Sequence, residues 1–280
     1  MFNQYLDIHW DTNQDDPVVW MGVDQIPDAT MWNEHRAQKK KMIDELKARL
    51  YDDYSRRGEP PTFINESLEA LNPDALTIGF ARRFATYKRA TLLFRHRDSL
   101  VSLLNNPERP VQIIFAGKAH PADTQGKELI KQIVEESRTE EFKGKIFYLE
   151  NYNMKLGRLL TQGVDVWLNT PVRPHEASGT SGMKVVPNGG INCSIRDGWW
   201  DEGYEEGVCF AISSVADPIN RDHQDEMDNN ALFNILLGEI VPAFYELKDE
   251  VPTAWVKMMK EAFKKLAPQF STMRMVNEYQ

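Results

Sequence analysis

The sequence predicts an α/β fold in which helices cover both faces of a Rossmann-like parallel sheet. From residue 76 onwards, short apolar segments alternate with amphipathic segments, which is the pattern of strands joined by crossover helices. The apolar segments are nearly uninterrupted, as expected for strands that are buried on both faces. Ligands bind such sheets beyond the carboxyl ends of the strands, so the loops at those ends are the candidate sites.

Five strands and five helices are predicted in this part of the chain. The strands are LTIGF (76–80), VQIIFAG (111–117), KIFYLE (145–150), VDVWLN (164–169) and INCSI (191–195). The helices cover residues 91–104, 124–137, 154–162, 233–247 and 253–266. Pro242 is expected to kink or break the fourth helix, because proline has no N–H to donate within it.

Residues 1–70 are predicted to form a helical connector, and residues 71–280 the Rossmann-like domain. The connector is rich in Trp, Asp and Lys and shows no strand pattern. Asp28 is expected to cap a long helix with apolar residues at helical spacing. Gly58 and the Pro60–Pro61 pair should end that helix.

Composition and charge exclude several classes of protein. A formal charge of −9 argues against a nucleic-acid or membrane-surface binder, because both need a basic face. The first residues lack a basic n-region, and no apolar run reaches about 18 residues, so a cytoplasmic protein is expected. The six histidines lack metal-binding spacing, so no metal site is expected. Cys193 and Cys209 are predicted to be buried free thiols.

The loop after the first predicted strand contains four cations within eight residues: Arg82, Arg83, Lys88 and Arg89. Positive charge in the first turn of a helix opposes the macrodipole, at a cost of about 0.3–1 kcal/mol per residue. Such a cluster in an acidic chain predicts an anionic ligand, phosphate above all. The alternative is a solvated basic face that acidic residues neutralise.

The loop after the fourth predicted strand contains a flexible Gly-Thr-Ser-Gly run (179–182) before a predicted helix. Backbone amides and hydroxyls at a helix start can cradle a phosphate, although an ordinary capped turn has the same pattern. Lys184 lies four residues after Thr180 and therefore faces the same side. An amine there suits a Schiff-base lysine beside a phosphorylated aldehyde; a lysine with a solvated tip is the alternative.

The aromatic segment DGWWDEGY (197–204) is open to two interpretations. Trp199 and Trp200 could stack on the faces of sugars, as aromatic rings in sugar sites do. They could equally belong to the hydrophobic core, and the sequence favours neither.

Several segments resemble the short bacterial and archaeal branch of the α-glucan phosphorylase family. They are LTIGFARRFATYKRATLLF, FAGKAHPADTQGKELI, LENYNM, GVDVWLNTP, RPHEASGTSGMK and NGGINCSIRDGWWDEGY, with IPDATMW resembling the connector. The resemblance covers essentially the whole chain, and EASGTSGMK is highly specific. It implies the C-terminal domain of a two-domain GT-B glycosyltransferase that converts α-1,4-glucan and inorganic phosphate to glucose 1-phosphate.

The resemblance also implies that pyridoxal phosphate is the cofactor. Lys184 would hold it covalently, and Thr180, the backbone of Ser181 and Arg82 would hold its phosphate. Tyr152 would border the cofactor. In this family the cofactor phosphate is thought to pass a proton to the attacking phosphate.

The substrate residues implied by the resemblance lie in the same two loops. Arg83 and Lys88 would bind the substrate phosphate. Together with Lys184, they would be the catalytic residues. Glu176, Ser178 and Gly179 would form hydrogen bonds to the hydroxyls of the glucosyl unit. Tyr87 would border the site of that unit.

The family's N-terminal domain supplies part of the active site, so this chain alone is expected to turn over little or no substrate. The sequence also leaves open a homo-oligomer. One alternative is a nucleotide-sugar glucosyltransferase such as a glycogen synthase. Those enzymes tend to have two glutamates eight positions apart, whereas here Lys184 follows Glu176 at that spacing. Another alternative is an inactive glucan-binding remnant, whose oligosaccharide binding would survive Lys184→Ala.

Overall fold

A computed structural model describes residues 1–216 and 218–280. Within these residues, six strands form one sheet in which each neighbouring pair is parallel. The strands are β1 (Leu76–Ala81), β2 (Val111–Ala116), β3 (Ile146–Leu149), β4 (Val166–Asn169), β5 (Ile191–Ile195) and β6 (Phe210–Ile212). The sheet confirms the predicted fold class and the five predicted strands.

Thirteen α-helices are present in the described part of the chain. They are α1 (Phe2–Tyr5), α2 (Pro17–Trp20), α3 (Asp28–Arg56), α4 (Pro61–Ala70), α5 (Arg97–Leu104), α6 (Thr124–Glu136), α7 (Met154–Gly163), α8 (Ser181–Val185), α9 (Trp199–Gly203), α10 (Arg221–Ile235), α11 (Val241–Tyr245), α12 (Thr253–Leu266) and α13 (Thr272–Tyr279). None of the described helices combines the length and the apolar character needed to cross a bilayer.

The strand order is β3-β2-β1-β4-β5-β6, so the chain winds outwards in both directions from the central pair. In that pair, Ile78 of β1 lies beside Val166 of β4. The connections therefore reverse direction between β1 and β4, which leaves a crevice at their carboxyl ends. Open α/β sheets bind their ligands in this crevice.

The hydrophobic core lies on both faces of the sheet. Ile78 and Phe80 pack on one side in a cluster that includes residues of α5, α10 and α12. Trp167 packs on the other side, where α3 and α7 contribute. The connector helix α3 therefore packs directly on the sheet, while the domain division at residue 70 stays a prediction.

The long helix α3 begins differently from the prediction. Pro27 is its N-cap residue, so the predicted capping role of Asp28 is wrong. Asp28 instead occupies the first turn, where its carboxylate pairs with Lys260 Nζ at 2.6 Å. The helix ends at Arg56, and Gly58 follows at φ 73°, which confirms the predicted stop.

Two other predicted helices have different bounds: the first is shorter than expected, whereas the second belongs to a helical segment that already begins at Arg221. The helix predicted over 91–104 begins only at Arg97, after a 3₁₀ turn at Leu92–Arg95. The helix predicted over 233–247 is divided by a π turn at Leu236–Ile240, and Pro242 lies in the first turn of α11. The wider turn accommodates the proline, which lacks an N–H and would clash in a regular α-helix.

Candidate active site

Two loops meet at the crevice between the central strands. The β1 loop (residues 82–91) follows β1, and the β4 loop (residues 170–180) follows its neighbour β4. Backbone hydrogen bonds join them, because the amide of Val172 donates to the Tyr87 carbonyl at 2.8 Å. Thr170 Oγ1 also donates to the Lys88 carbonyl at 3.2 Å. The two loops predicted to bind an anion are thus side by side.

Glu176 lies between two cations of the β1 loop. Arg82 Nη2 donates to Glu176 Oε2 at 2.7 Å, and Lys88 Nζ lies 2.6 Å from both carboxylate oxygens. The three side chains are 13%, 7% and 5% exposed for Arg82, Lys88 and Glu176. Burial lowers the pKa of the Arg82 guanidinium and Glu176 opposes this, so Arg82 keeps its charge.

This cluster has two positive charges and one negative charge in a mostly buried position. Burying an unpaired charge is costly unless a counter-ion or hydrogen bonds compensate it. Arg82 Nε is also buried without a hydrogen-bond partner among the described residues. Buried donors are rarely left without an acceptor, and this one fits an incoming anion. The donor set therefore fits a phosphate group.

Tyr87 borders the cluster, and Arg83 follows Arg82 in the same loop. Lys88 Nζ lies 4.6 Å from the centre of the Tyr87 ring, a cation–π distance that holds the amine beside the ring. The Tyr87 ring also meets the His175 ring in a T-shaped contact with centroids 6.3 Å apart. Arg83 is exposed and pairs with no carboxylate in the described part of the chain, so its guanidinium is free to bind a ligand.

The β4 loop is held close to the end of β5. Asp197 Oδ2 accepts from the Glu176 amide at 2.9 Å, and the Trp199 amide donates to the Ser178 carbonyl at 2.9 Å. Gly198 has φ 58°, and a Cβ there would lie 2.5 Å from the Ser178 carbonyl oxygen. Only glycine permits this approach, which keeps the Glu176 backbone in place.

Lys184 lies on α8 with an exposed side chain. Thr180 precedes that helix, is exposed and makes no side-chain capping bond, so its hydroxyl is available. Gly179 before it has φ 82°. Helix α8 packs against α7, and Tyr152 just before α7 is half-buried. Burial raises the pKa of the Tyr152 hydroxyl.

The structure thus divides the predicted site residues into two groups. Direct side-chain contacts join the first group: Arg82, Lys88, Glu176 and Tyr87. The second group lies in the same loops, on α8 or before α7, without side-chain bonds to that cluster among the described residues: Arg83, Ser178, Gly179, Thr180, Ser181, Lys184 and Tyr152. Roles for both groups stay predictions.

The prediction that Arg89 belongs to the anion-binding cluster is wrong. Its side chain is 3% exposed and pairs with Asp225 at 2.9 Å and Asp228 at 2.7 Å. These two carboxylates and two loop carbonyls surround its guanidinium, so Arg89 cannot offer it to a ligand. The sequence could not show this, because both acidic partners lie far along the chain, on α10.

The sequence reasoning missed Asn169 and Asp197. Both lie at or just after carboxyl ends of strands, which is the signal that could have found them. Asn169 Oδ1 is buried without a hydrogen-bond partner among the described residues. Trp199 and Trp200 are only 4% and 0% exposed, so they belong to the core and do not offer free ring faces to a sugar.

Known proteins are similar to this chain over its whole length. Residues 61–202, about half of the chain, match the family model for carbohydrate phosphorylases. The whole chain is 44% identical to part of the maltodextrin phosphorylase of Thermococcus litoralis, covering 32% of that protein. It is 41% identical to the glycogen phosphorylase of Aquifex aeolicus, covering 40% of that protein.

A third relative is the glycogen phosphorylase of Mycobacterium tuberculosis, 42% identical over 94% of this chain and 31% of the relative. The chain therefore spans between about a third and two-fifths of the length of these relatives. On the family match and the whole-chain similarity, the chain belongs to the carbohydrate phosphorylase family.

Proposed function

We propose that this chain forms the cofactor- and phosphate-binding part of an α-1,4-glucan phosphorylase, which releases glucose 1-phosphate from glycogen or maltodextrin. The single observation that supports this most is the buried pair of Arg82 and Lys88 on one carboxylate, Glu176, in the crevice. The excess positive charge there suits a phosphate. The names of the relatives supply the glucan and the phosphorolysis.

Pyridoxal phosphate is the proposed cofactor. The exposed amine of Lys184 would attach it, and its phosphate would be held by Thr180, the Ser181 backbone and Arg82. Tyr152 would border it. When bound, the cofactor supplies a phosphate group that can exchange a proton with the substrate phosphate.

Arg83 and Lys88 are proposed to bind the substrate phosphate. Two phosphates about 4 Å apart repel by about 4 kcal/mol for each pair of unit charges at an effective dielectric of about 20. Arg82, Arg83 and Lys88 provide three cations that offset this repulsion. They also fix the phosphate, whose negative charge stabilises the oxocarbenium-like transition state of glycosyl transfer.

The glucosyl unit is proposed to bind beside this phosphate. Glu176, Ser178 and Gly179 would form hydrogen bonds to its hydroxyls, and Tyr87 would border the ring. In the ligand-free arrangement the Glu176 carboxylate is held by two cations. It accepts sugar hydroxyls more freely when a phosphate takes over one of those cations.

Trapping of the cofactor on one lysine tests the proposal. The chain is mixed with pyridoxal phosphate and reduced with borohydride, and the modified lysine is located by peptide mass spectrometry. We expect one adduct, on Lys184, which Lys184→Ala abolishes. Lys155→Ala, which removes an exposed lysine of α7, is the control and should retain it.

Scattered labelling of many surface lysines would contradict the proposed cofactor site. Absence of any adduct would contradict it as well. The activity is tested by phosphate-dependent release of glucose 1-phosphate from maltodextrin, with Arg83→Ala and Lys88→Ala expected to reduce it at least 100-fold in any protein that contains this chain and is active.

A further inference from the structure

Arg89 has a backbone conformation that an arginine rarely adopts. It directly follows Lys88, and its φ of 50° lies in the left-handed region. For residues other than glycine this region is unfavourable, so contacts elsewhere must hold the residue there. The side chain supplies them, because it is almost wholly buried.

The Arg89 guanidinium joins three elements of the fold. Its Nε donates to the Thr170 carbonyl at 2.7 Å, and its Nη2 donates to the Pro171 carbonyl at 2.7 Å. Its Nη1 pairs with Asp225 at 2.9 Å and its Nη2 with Asp228 at 2.7 Å, both on α10. The Arg89 side chain, which belongs to the β1 loop, thereby connects the β4 loop to α10.

The β4 loop in turn holds the backbone of Lys88. Thr170 Oγ1 lies 3.2 Å from the Lys88 carbonyl and 3.3 Å from the Arg89 carbonyl. The residue before Lys88 is bound as well, through the hydrogen bond from the Val172 amide to the Tyr87 carbonyl. The Lys88 backbone therefore has little freedom to move relative to Glu176.

We propose that Arg89 is a positioning residue for phosphate binding, anchored by Asp225 and Asp228, which sets the place of the Lys88 amine. This inference rests on the proposed function, because it takes Lys88 to be a phosphate ligand. Arginine is required because its planar fork donates to two carbonyls and to Asp225 at once, while its positive charge lies 2.7 Å from Asp228. A lysine at this position provides one point charge and cannot replace that set.

Orthophosphate binding to the chain tests the proposal. We expect Arg89→Lys and Asp228→Asn to raise the dissociation constant for orthophosphate, measured by calorimetry, about tenfold, because displaced groups lose binding steeply. Arg95→Lys is the matched control, since Arg95 pairs with Asp222 and Glu226 on the same helix. It should stay within about twofold of the parent chain.

Borohydride trapping of pyridoxal phosphate on Lys184 separates positioning from general loss of structure. A positioning role weakens orthophosphate binding but leaves the extent of trapping unchanged in variants that melt cooperatively. Unchanged orthophosphate binding in Arg89→Lys would overturn the proposal. A parallel loss of trapping and phosphate binding with a lower melting temperature would also overturn it, because that result indicates a general loss of structure. A parent chain that binds orthophosphate but takes up no pyridoxal phosphate would refute the proposed cofactor while leaving the Arg89 comparison valid.

Discussion

Glu176 acts as an internal counter-ion in the crevice. Its carboxylate satisfies Arg82 and Lys88, the same two cations that a phosphate would need. An internal carboxylate and an external anion compete for one set of donors. The affinity of this site for phosphate is therefore set partly by how strongly Glu176 retains its cations.

Glu176→Gln is expected to bind orthophosphate more tightly. Glutamine keeps the size of the side chain but removes the competing charge, so the affinity should rise about tenfold, which corresponds to about 1.4 kcal/mol. Calorimetric titration with orthophosphate measures the change, and Glu202→Gln on α9, an exposed position, is the control. Weaker binding in Glu176→Gln would show that the carboxylate organises the cations and does not compete for them.

Two glycines with positive φ differ in what a Cβ would meet. A Cβ on Gly198 (φ 58°) would approach the Ser178 carbonyl oxygen to 2.5 Å, while a Cβ on Gly207 (φ 80°) would have no atom of the described residues within 4 Å. Gly207→Ala should cost about 1 kcal/mol of unfolding free energy from the backbone alone. Gly198→Ala should cost more, about 2–4 kcal/mol, because its ψ of −136° lies outside the left-handed region and because the β4 loop must also shift. Urea unfolding of both variants decides this; equal losses would mean that the loop yields freely.

At the scale of elements, strands were easier to predict than the helices near the site. The central strands are buried on both faces, so their apolar runs are unmistakable. Strand β6 has only three residues, too few for a period to be visible. The start of α5 was misplaced because Arg95 and His96, just before it, pair with acidic residues of α10, a tertiary contact that no local pattern contains.

Helix α3 is docked to the sheet through a buried charge network. Lys39 Nζ lies 2.5 Å from Asp165 Oδ2, and His35 Nε2 lies 2.9 Å from Asp165 Oδ1. Burial raises the pKa of the Asp165 carboxyl, but Lys39 and His35 outweigh it and hold that pKa below its ordinary value. Burial lowers the pKa of the Lys39 amine. The backbone amide of Thr77 also donates to Asp165 at 2.7 Å.

Asp165→Asn is expected to lower stability in a pH-dependent way. A carboxyl whose pKa is lower in the folded state adds stability that is present above about pH 4 and is lost as pH falls through the folded pKa. The variant should lose about 3–5 kcal/mol at pH 7, because Lys39 is left buried without its partner. Below about pH 4 the difference from the parent chain should narrow.

Urea unfolding at pH 7 and pH 3 measures both values. Asp74→Asn is the control, because Asp74 pairs with Arg36 of the same helix at the surface, with side chains 67% and 51% exposed. Exposed pairs contribute at most about 1 kcal/mol. A difference between Asp165→Asn and the parent chain that does not change with pH would contradict a stabilising ionised Asp165.

For the whole molecule, the choice of the two loops that form the candidate site was predictable from sequence, whereas the pairing of their side chains was not. Alternating strands and helices imply a parallel sheet, and such a sheet binds ligands at its carboxyl edge, so the two loops could be chosen from sequence. The contact of Lys88 with Glu176 joins residues 88 positions apart. The opposite outcomes for Lys88 and Arg89, which are adjacent cations, depend on which of them meets α10. Spacing along the chain contains no information about either contact.

The two thiols report whether the β5–β6 edge of the sheet unfolds with the rest of the core. Cys193 lies in β5 and Cys209 directly precedes β6, and both are buried in the larger core cluster. Burial raises the pKa of both thiols, that of Cys209 to about 12. Because the thiolate is the reactive form, iodoacetamide at pH 8 should modify neither thiol in the folded chain.

Urea unfolding tests whether the two strands unfold together. With increasing urea, both thiols should become labelled in one transition that coincides with the change in tryptophan fluorescence, because both strands belong to one core. Mass spectrometry counts the labels, with fully denatured chain as the control for two. A species labelled only at Cys209 below the main transition would show that β6 detaches first and that the edge of the sheet is a separate unfolding unit.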